Sequence, residues 1–120
     1  MMRFVNPLLL VRDIARSVQF YRAALGLEVA GDHGDFVRFE GGFALHDRAS
    51  YLRQALKSGP DRPAVEDRVA LYFETDDLEA AFARAGPLSQ VIHDIVVQDW
   101  GGRVFRLRDP DGHIIEVGEA

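Results

Sequence analysis

Cysteine is absent from this chain of 120 residues. That excludes disulfides, thiolate zinc centres and a cysteine nucleophile, while leaving the redox compartment open. Lysine is nearly absent. Lys57 is the only one, in the polar stretch Lys57-Ser58-Gly59-Pro60, so Schiff-base chemistry has a single poor candidate. No apolar run reaches the roughly 18 residues that a membrane helix needs. The opening MMRFVNP carries Arg3 but no apolar signal-peptide core, so a cytoplasmic protein with no membrane partner is expected. Positive charge is scarce too: 14 basic residues stand against 19 acidic ones, for a net charge of -5. No Lys/Arg stripe tracks a phosphate backbone, so nucleic acid is not an expected partner.

What remains is an apolar-rich chain of single-domain size. Residues 4–11, FVNPLLLV, read as a strand, with Pro7 where the ladder needs no donor. Asp13 is a candidate N-cap, followed by the helical stripe Ile14, Val18, Tyr21 and Leu25. Gly26 suits the position that ends that helix. LEVAGD (27–32), DFVRFE (35–40) and FALHD (43–47) read as strands, the last two joined by Gly41-Gly42. A short helix is expected over Ser50–Lys57, then a loop over 58–67 rich in Pro, Gly and charge.

The order then repeats. RVALYFE (68–74) reads as a strand. Asp76 with Glu79 resembles a capping box, and Leu78, Phe82 and Ala85 form a helical stripe stopped by Gly86-Pro87. QVIHDIVVQ (90–98), RVFRLR (103–108) and HIIEVG (113–118) read as strands, with a strong turn at Asp109-Pro110-Asp111-Gly112. Ile14 matches Leu78, Val18 matches Phe82 and Tyr21 matches Ala85, all at an offset of 64 residues. The expected architecture is α+β in one domain, 1–120. It comprises module one over 1–48, a connector over 49–67 and module two over 68–120.

Three segments carry a family resemblance. VRDIARSVQFYRAALGLEV (11–29), FETDDLEAAFARAG (73–86) and RLRDPDGHIIEV (106–117) resemble the module openings and closing hairpin of the glyoxalase / bleomycin resistance protein / extradiol dioxygenase (vicinal oxygen chelate) superfamily. They occur in the expected order across nearly the whole chain. The resemblance implies two βαβββ modules forming a curled mixed sheet around a cavity, and commonly a homodimer. It also implies one of two kinds of function: divalent-metal-dependent isomerase, lyase or dioxygenase chemistry, or metal-free binding of a drug.

In the metal-using members, His and Glu project from four strands, ligand types suited to a divalent ion with open positions. Matched residue by residue, the first position is Asn6, seven residues before Asp13, and its counterpart in module two is Ala70. The fourth-strand position matches Ala44. The last-strand carboxylate is Glu116. Only a shift to His46, two residues beyond Ala44 and on the same strand face, would give a shell of Asn6, His46 and Glu116 for Zn, Ni, Mn or Fe. As an alternative to ligation, His46 is a hydrogen-bonded or exposed histidine.

Glu116 shares a strand face with Ile114, so it needs a partner or a raised pKa. It is either a functional carboxylate, even a catalytic base, or the salt-bridge partner of an arginine such as Arg106. His113 follows the turn, where polar residues are expected. His93 lies in a strand and could face solvent, and His33 is given no role.

QDWGGRVFRLRDPDGH (98–113) resembles the matching stretch of the bleomycin-binding proteins. Trp100 could stack on a planar guest or pack over the sheet edge. Tyr72 shares a face with Ala70, where a small residue leaves room for a ligand. Phe36 is a further wall candidate or a core residue. The first expectation is therefore a metal-independent small-molecule binder, a homodimer of the drug-sequestration type, with Tyr72, Trp100, Arg106, Glu116 and Phe36 contacting the guest and no cofactor. The acidic balance favours a cationic guest. The alternatives are a divalent-metal enzyme using His46 and Glu116, and an interaction module whose cleft is filled by its own side chains.

Overall fold

The computed structural model describes residues 1, 4–54, 69–98 and 101–120. The first strand, β1, is Leu8–Val11. It is shorter than the apolar run predicts, because Phe4 and Val5 lie exposed ahead of it. Pro7 precedes the strand, where its carbonyl accepts from the Ala44 amide. Helix α1, Ile14–Leu25, begins on Asp13, whose carboxylate accepts from the Arg16 amide. It ends on Gly26 at φ 69°, the left-handed conformation that glycine adopts without a Cβ clash.

Strands β2 (Val29–Asp32), β3 (Phe36–Phe39) and β4 (Phe43–Asp47) follow. Asp47 accepts from the Ser50 amide and so caps α2, described as Arg48–Gln54. That helix starts two residues earlier than its predicted first residue, Ser50. The predicted connector loop over 58–67 lies outside the described residues, as does the predicted helix end at Lys57.

In the second half, β5 is Ala70–Thr75 and α3 is Leu78–Ala85. The N-cap of α3 is Asp77, which accepts from the Ala80 amide, and this corrects the expected capping role of Asp76. The chain leaves α3 through a 3-10 turn, Gly86–Leu88, with Gly86 still right-handed at φ -54°. Gly86 is thus no left-handed terminator here. Pro87, with no N–H to donate, sits in the first turn of the tighter helix. Strands β6 (Gln90–Val97), β7 (Arg103–Arg108) and β8 (Ile114–Glu119) complete the chain.

The strands fall into two four-stranded mixed sheets, ordered β1-β4-β3-β2 and β5-β8-β7-β6. In each, the first and last strands of the repeat pair in parallel and the other neighbours run antiparallel. This is the βαβββ pattern twice over in an α+β protein. The two sheets belong to two compact units. In the first, Tyr21 of α1 packs on Phe39 and Phe43, with ring centroids 5.8 Å and 5.3 Å away. In the second, Phe82 of α3 meets Phe105 at 5.1 Å. Burial of these apolar faces, worth about 25 cal/mol per Å², is what holds each helix to its sheet. Leu45, Phe105, Leu107 and Ile115 are fully buried on the same sides.

The turn before β8 is a closed polar unit. Oδ1 of Asp109 accepts from the Asp111 and His113 amides, and Oδ2 lies 2.7 Å from His113 Nδ1. Asp109 is 4 % exposed, so these bonds replace its lost water. The hydrogen bond to Asp109 raises the His113 pKa above its ordinary value, against an opposing effect of burial.

Candidate ligand-binding site

One row of side chains crosses the second sheet. Tyr72 on β5 pairs with Glu116 on β8, Glu116 with Arg106 on β7, and Arg106 with His93 on β6. Directly paired residues share a sheet face. This face is opposite to the one bearing Phe105 and Val117, against which α3 packs. At about 4.8 Å between strands the row spans about 14 Å, the length of a drug-sized molecule.

Arg106 is the hub of the row. Its Nε donates to Glu116 Oε1 at 2.8 Å, Nη1 to His93 Nε2 at 3.0 Å and Nη2 to Gln98 Oε1 at 3.3 Å. The pairing partner weighed for Glu116 from the sequence is thus in place. The arginine settles the histidine tautomer as well. Guanidinium nitrogens only donate, so His93 Nε2 is the accepting lone pair. His93 Nδ1 carries the hydrogen and donates to the Asp94 carbonyl at 2.8 Å. His93 is therefore half-buried in a network, not the solvent-facing residue considered from the sequence. Neither it nor Gln98 was among the expected site residues.

A register fault explains the omission. Val91 pairs with Leu107 but His93 pairs with Arg106, so two residues of β6 advance against one of β7. This β-bulge moves His93 from the helix side, where strict alternation from Val91 would put it, to the polar row.

Tyr72 is 54 % exposed and its hydroxyl donates to Glu74 Oε2 at 2.9 Å. That bond raises the phenol pKa, and the charges on Glu74 and Glu116 add to the effect. The ring lies over Gly118, where a Cβ would come 2.8 Å from the Tyr72 hydroxyl. Glycine at 118 thus permits the tyrosine's orientation. Glu116 uses one carboxylate oxygen on Arg106, and Oε2 has no partner among the described residues. The row accordingly offers a free acceptor beside a half-open aromatic ring. Trp100 lies outside the described residues.

The remaining expected residues belong to the first unit. His46 lies on β4 between the rings of Phe36 and Tyr51, at 6.0 Å and 5.3 Å. Its Nδ1 donates to the Asp47 carbonyl at 2.9 Å, which leaves Nε2 as a lone pair. Asn6 precedes β1 and its amide donates to the Pro7 carbonyl. His46 pairs with Leu10, four residues beyond Asn6, so about 13 Å of chain separates Asn6 from the level of His46. Ala44 and Ala70 supply no donor, and Glu116 is engaged by arginine. Among the described residues no group of three or more His, Asp or Glu could hold an ion. This donor set does not fit the chelating site that the superfamily resemblance implies. No described helix is long and apolar enough to cross a membrane.

Comparison with known proteins agrees with the duplicated architecture. The profile of the glyoxalase-like domain matches residues 4–120, and the chain belongs to that family. A protein of unknown function from Agrobacterium tumefaciens is 48 % identical, with a TM-score of 0.94, and the match covers 100 % of this chain and 95 % of that one. The lactoylglutathione lyase of Agrobacterium tumefaciens is 25 % identical with a TM-score of 0.72, over 98 % of this chain and 93 % of the lyase. The uncharacterized protein YraH of Bacillus subtilis is 25 % identical over 126 residues, covering 97 % of each chain.

Proposed function

We propose that this chain is a metal-independent binder of a small organic molecule, held on the polar row of the second sheet by Tyr72, Glu116 and Arg106. One observation carries the reading: the 2.8 Å ion pair of Arg106 with Glu116. The one carboxylate surviving from the superfamily's chelating pattern is neutralised by an arginine. A divalent ion would have to compete with that arginine for the same oxygen. A guest would instead stack on the half-exposed Tyr72 ring and donate an N–H or O–H to the free Glu116 oxygen. Trp100 is a further stacking candidate.

A homodimer of the drug-sequestration kind in the cytoplasm belongs to the same reading. Its support is β6, an edge strand on which Val91, Ile92, Val96 and Val97 are all exposed. An uncovered apolar edge is a surface that a second copy would cover.

A thermal-shift screen of antibiotics and aromatic metabolites tests the proposal, because a ligand bound only by the folded state raises its unfolding temperature. The expected hit loses its shift in Tyr72→Ala and in Glu116→Gln. A hit indifferent to both substitutions, or no hit at all, removes the assignment. The second reading, a divalent-metal lyase, isomerase or dioxygenase using His46 and Glu116, is favoured by one feature. The Asp47 carbonyl fixes the His46 tautomer with Nε2 left as a lone pair, the arrangement a ligating histidine needs.

A further inference from the structure

The two units invite a position-by-position comparison. The helix caps Asp13 and Asp77 stand 64 residues apart. The same offset brings Leu8 onto Tyr72, and the matching strand pairs then follow. Across the first sheet, Leu8 pairs with Ala44, Ala44 with Arg38, and Arg38 with Gly31. This row, Leu8–Ala44–Arg38–Gly31, corresponds to Tyr72–Glu116–Arg106–His93. The arginine is retained at the equivalent place. Two of the groups that engage Arg106 have no equivalent here: alanine stands at the place of the carboxylate and glycine at that of the histidine, while leucine stands at that of the tyrosine.

Arg106 is spent on three internal partners. Arg38 is exposed, and no hydrogen bond or ion pair joins it to any described residue. Its guanidinium lies over Gly31, and it has company there. A Cβ placed on Gly31 would sit 3.5 Å from Arg38 Nη2 and 3.4 Å from His33 Nε2. Two nitrogen-bearing side chains therefore bracket one small empty position above β2. The nearest carboxylates of that loop are used locally. Asp32 accepts from the Gly34 amide, and Asp35 accepts from the Ser50 hydroxyl. The His33 ring stacks on Phe36 at 5.9 Å, and Phe36 shares the face of Arg38 two residues along β3.

We propose that Arg38 and His33, bracketing Gly31, form an anion site that takes the carboxylate of a small aromatic acid, with Phe36 as the wall for its apolar body. A planar guanidinium matches a carboxylate in geometry, and its donors here are free to meet one. The site lies wholly in the first unit and stands or falls independently of the polar row on the second sheet.

Benzoate and its neutral isostere benzamide are the probes, with binding followed by NMR of the Arg38 guanidinium and His33 ring signals. Benzoate is expected to shift both sets of signals saturably, more strongly at low ionic strength, and benzamide to leave them in place. Arg38→Met should weaken benzoate binding by about tenfold or more. Gly31→Val keeps both side chains but fills the space between them, and should also weaken it. Arg16→Met, which removes an exposed arginine of α1 outside both candidate sites, should leave benzoate affinity unchanged. Equal binding of benzamide, benzoate affinity untouched by both Arg38→Met and Gly31→Val, or no benzoate response at all would each overturn the site. None of these outcomes bears on ligands of the Tyr72 row.

Discussion

Replacing Arg106 by methionine removes the guanidinium that joins β6, β7 and β8 on the face away from α3. The Glu116 carboxylate then keeps its charge and loses its counter-ion, while His93 Nε2 and the Gln98 carbonyl lose their donor. Breaking a fully buried pair costs about 3–5 kcal/mol. Here the side chains are 26 % and 20 % exposed, so water recovers part of that penalty. A cost of about 2 kcal/mol is expected, close to the value of a hydrogen bond to a charged group. At roughly 4 °C per kcal/mol for a chain of this size, the unfolding midpoint should fall by about 8 °C.

The double variant Arg106→Met/Glu116→Gln discriminates the cause. It strands no charge, so it should be more stable than Arg106→Met alone, with a coupling energy of about 1 kcal/mol. Urea unfolding followed by circular dichroism measures Arg106→Met, Glu116→Gln and the double variant. A single-variant cost below about 0.5 kcal/mol, together with strict additivity in the double, would refute the view that the pair is a coupled unit.

Other expectations follow from the same geometry. His113 has a folded pKa above its ordinary 6.5, so its bond to Asp109 stabilises the protein fully below about pH 6.5 and loses that contribution as pH rises through the folded value. The stability difference between the protein and His113→Gln should therefore be larger at pH 5.5 than at pH 8.5, within a pH series of urea melts. Asp77→Ala should cost about 1 kcal/mol by removing a helix cap, and Asp76→Ala much less; reversed magnitudes would restore the capping box read from the sequence. Gly118→Ala should barely change stability, because the group it displaces is the tip of an exposed tyrosine. It should weaken any ligand that stacks on Tyr72, as titration against a confirmed ligand would reveal.

The elements with strong local signals were legible in the sequence. Asp13 and Gly26 bound α1 because a side-chain acceptor and a residue tolerant of positive φ are needed at those two ends. FALHD and RVFRLR coincide with β4 and β7, each delimited by glycine or by an aspartate turn. Where two residues of like chemistry adjoin, local signals give out. Asp76 and Asp77 are both capable caps, and only the backbone of α3 chooses between them. Phe4 and Val5 read as strand because they are apolar, yet they find no ladder partner within β1. The candidate site was half legible. Tyr72, Arg106 and Glu116 fall on one face by simple alternation. His93 joins them only through a bulge, and no residue pattern in β6 announces it. The first-sheet anion site was hidden for a different reason: His33 follows β2 and Arg38 lies within β3, and only hairpin geometry over Gly31 brings them together.

Elemental analysis of protein purified without chelator tests the central claim most directly. A metal-independent binder should carry nickel, zinc, manganese and iron at well below one equivalent, and its ligand-induced thermal shift should survive EDTA. A stoichiometric ion that disappears in both His46→Ala and Glu116→Ala would contradict the account.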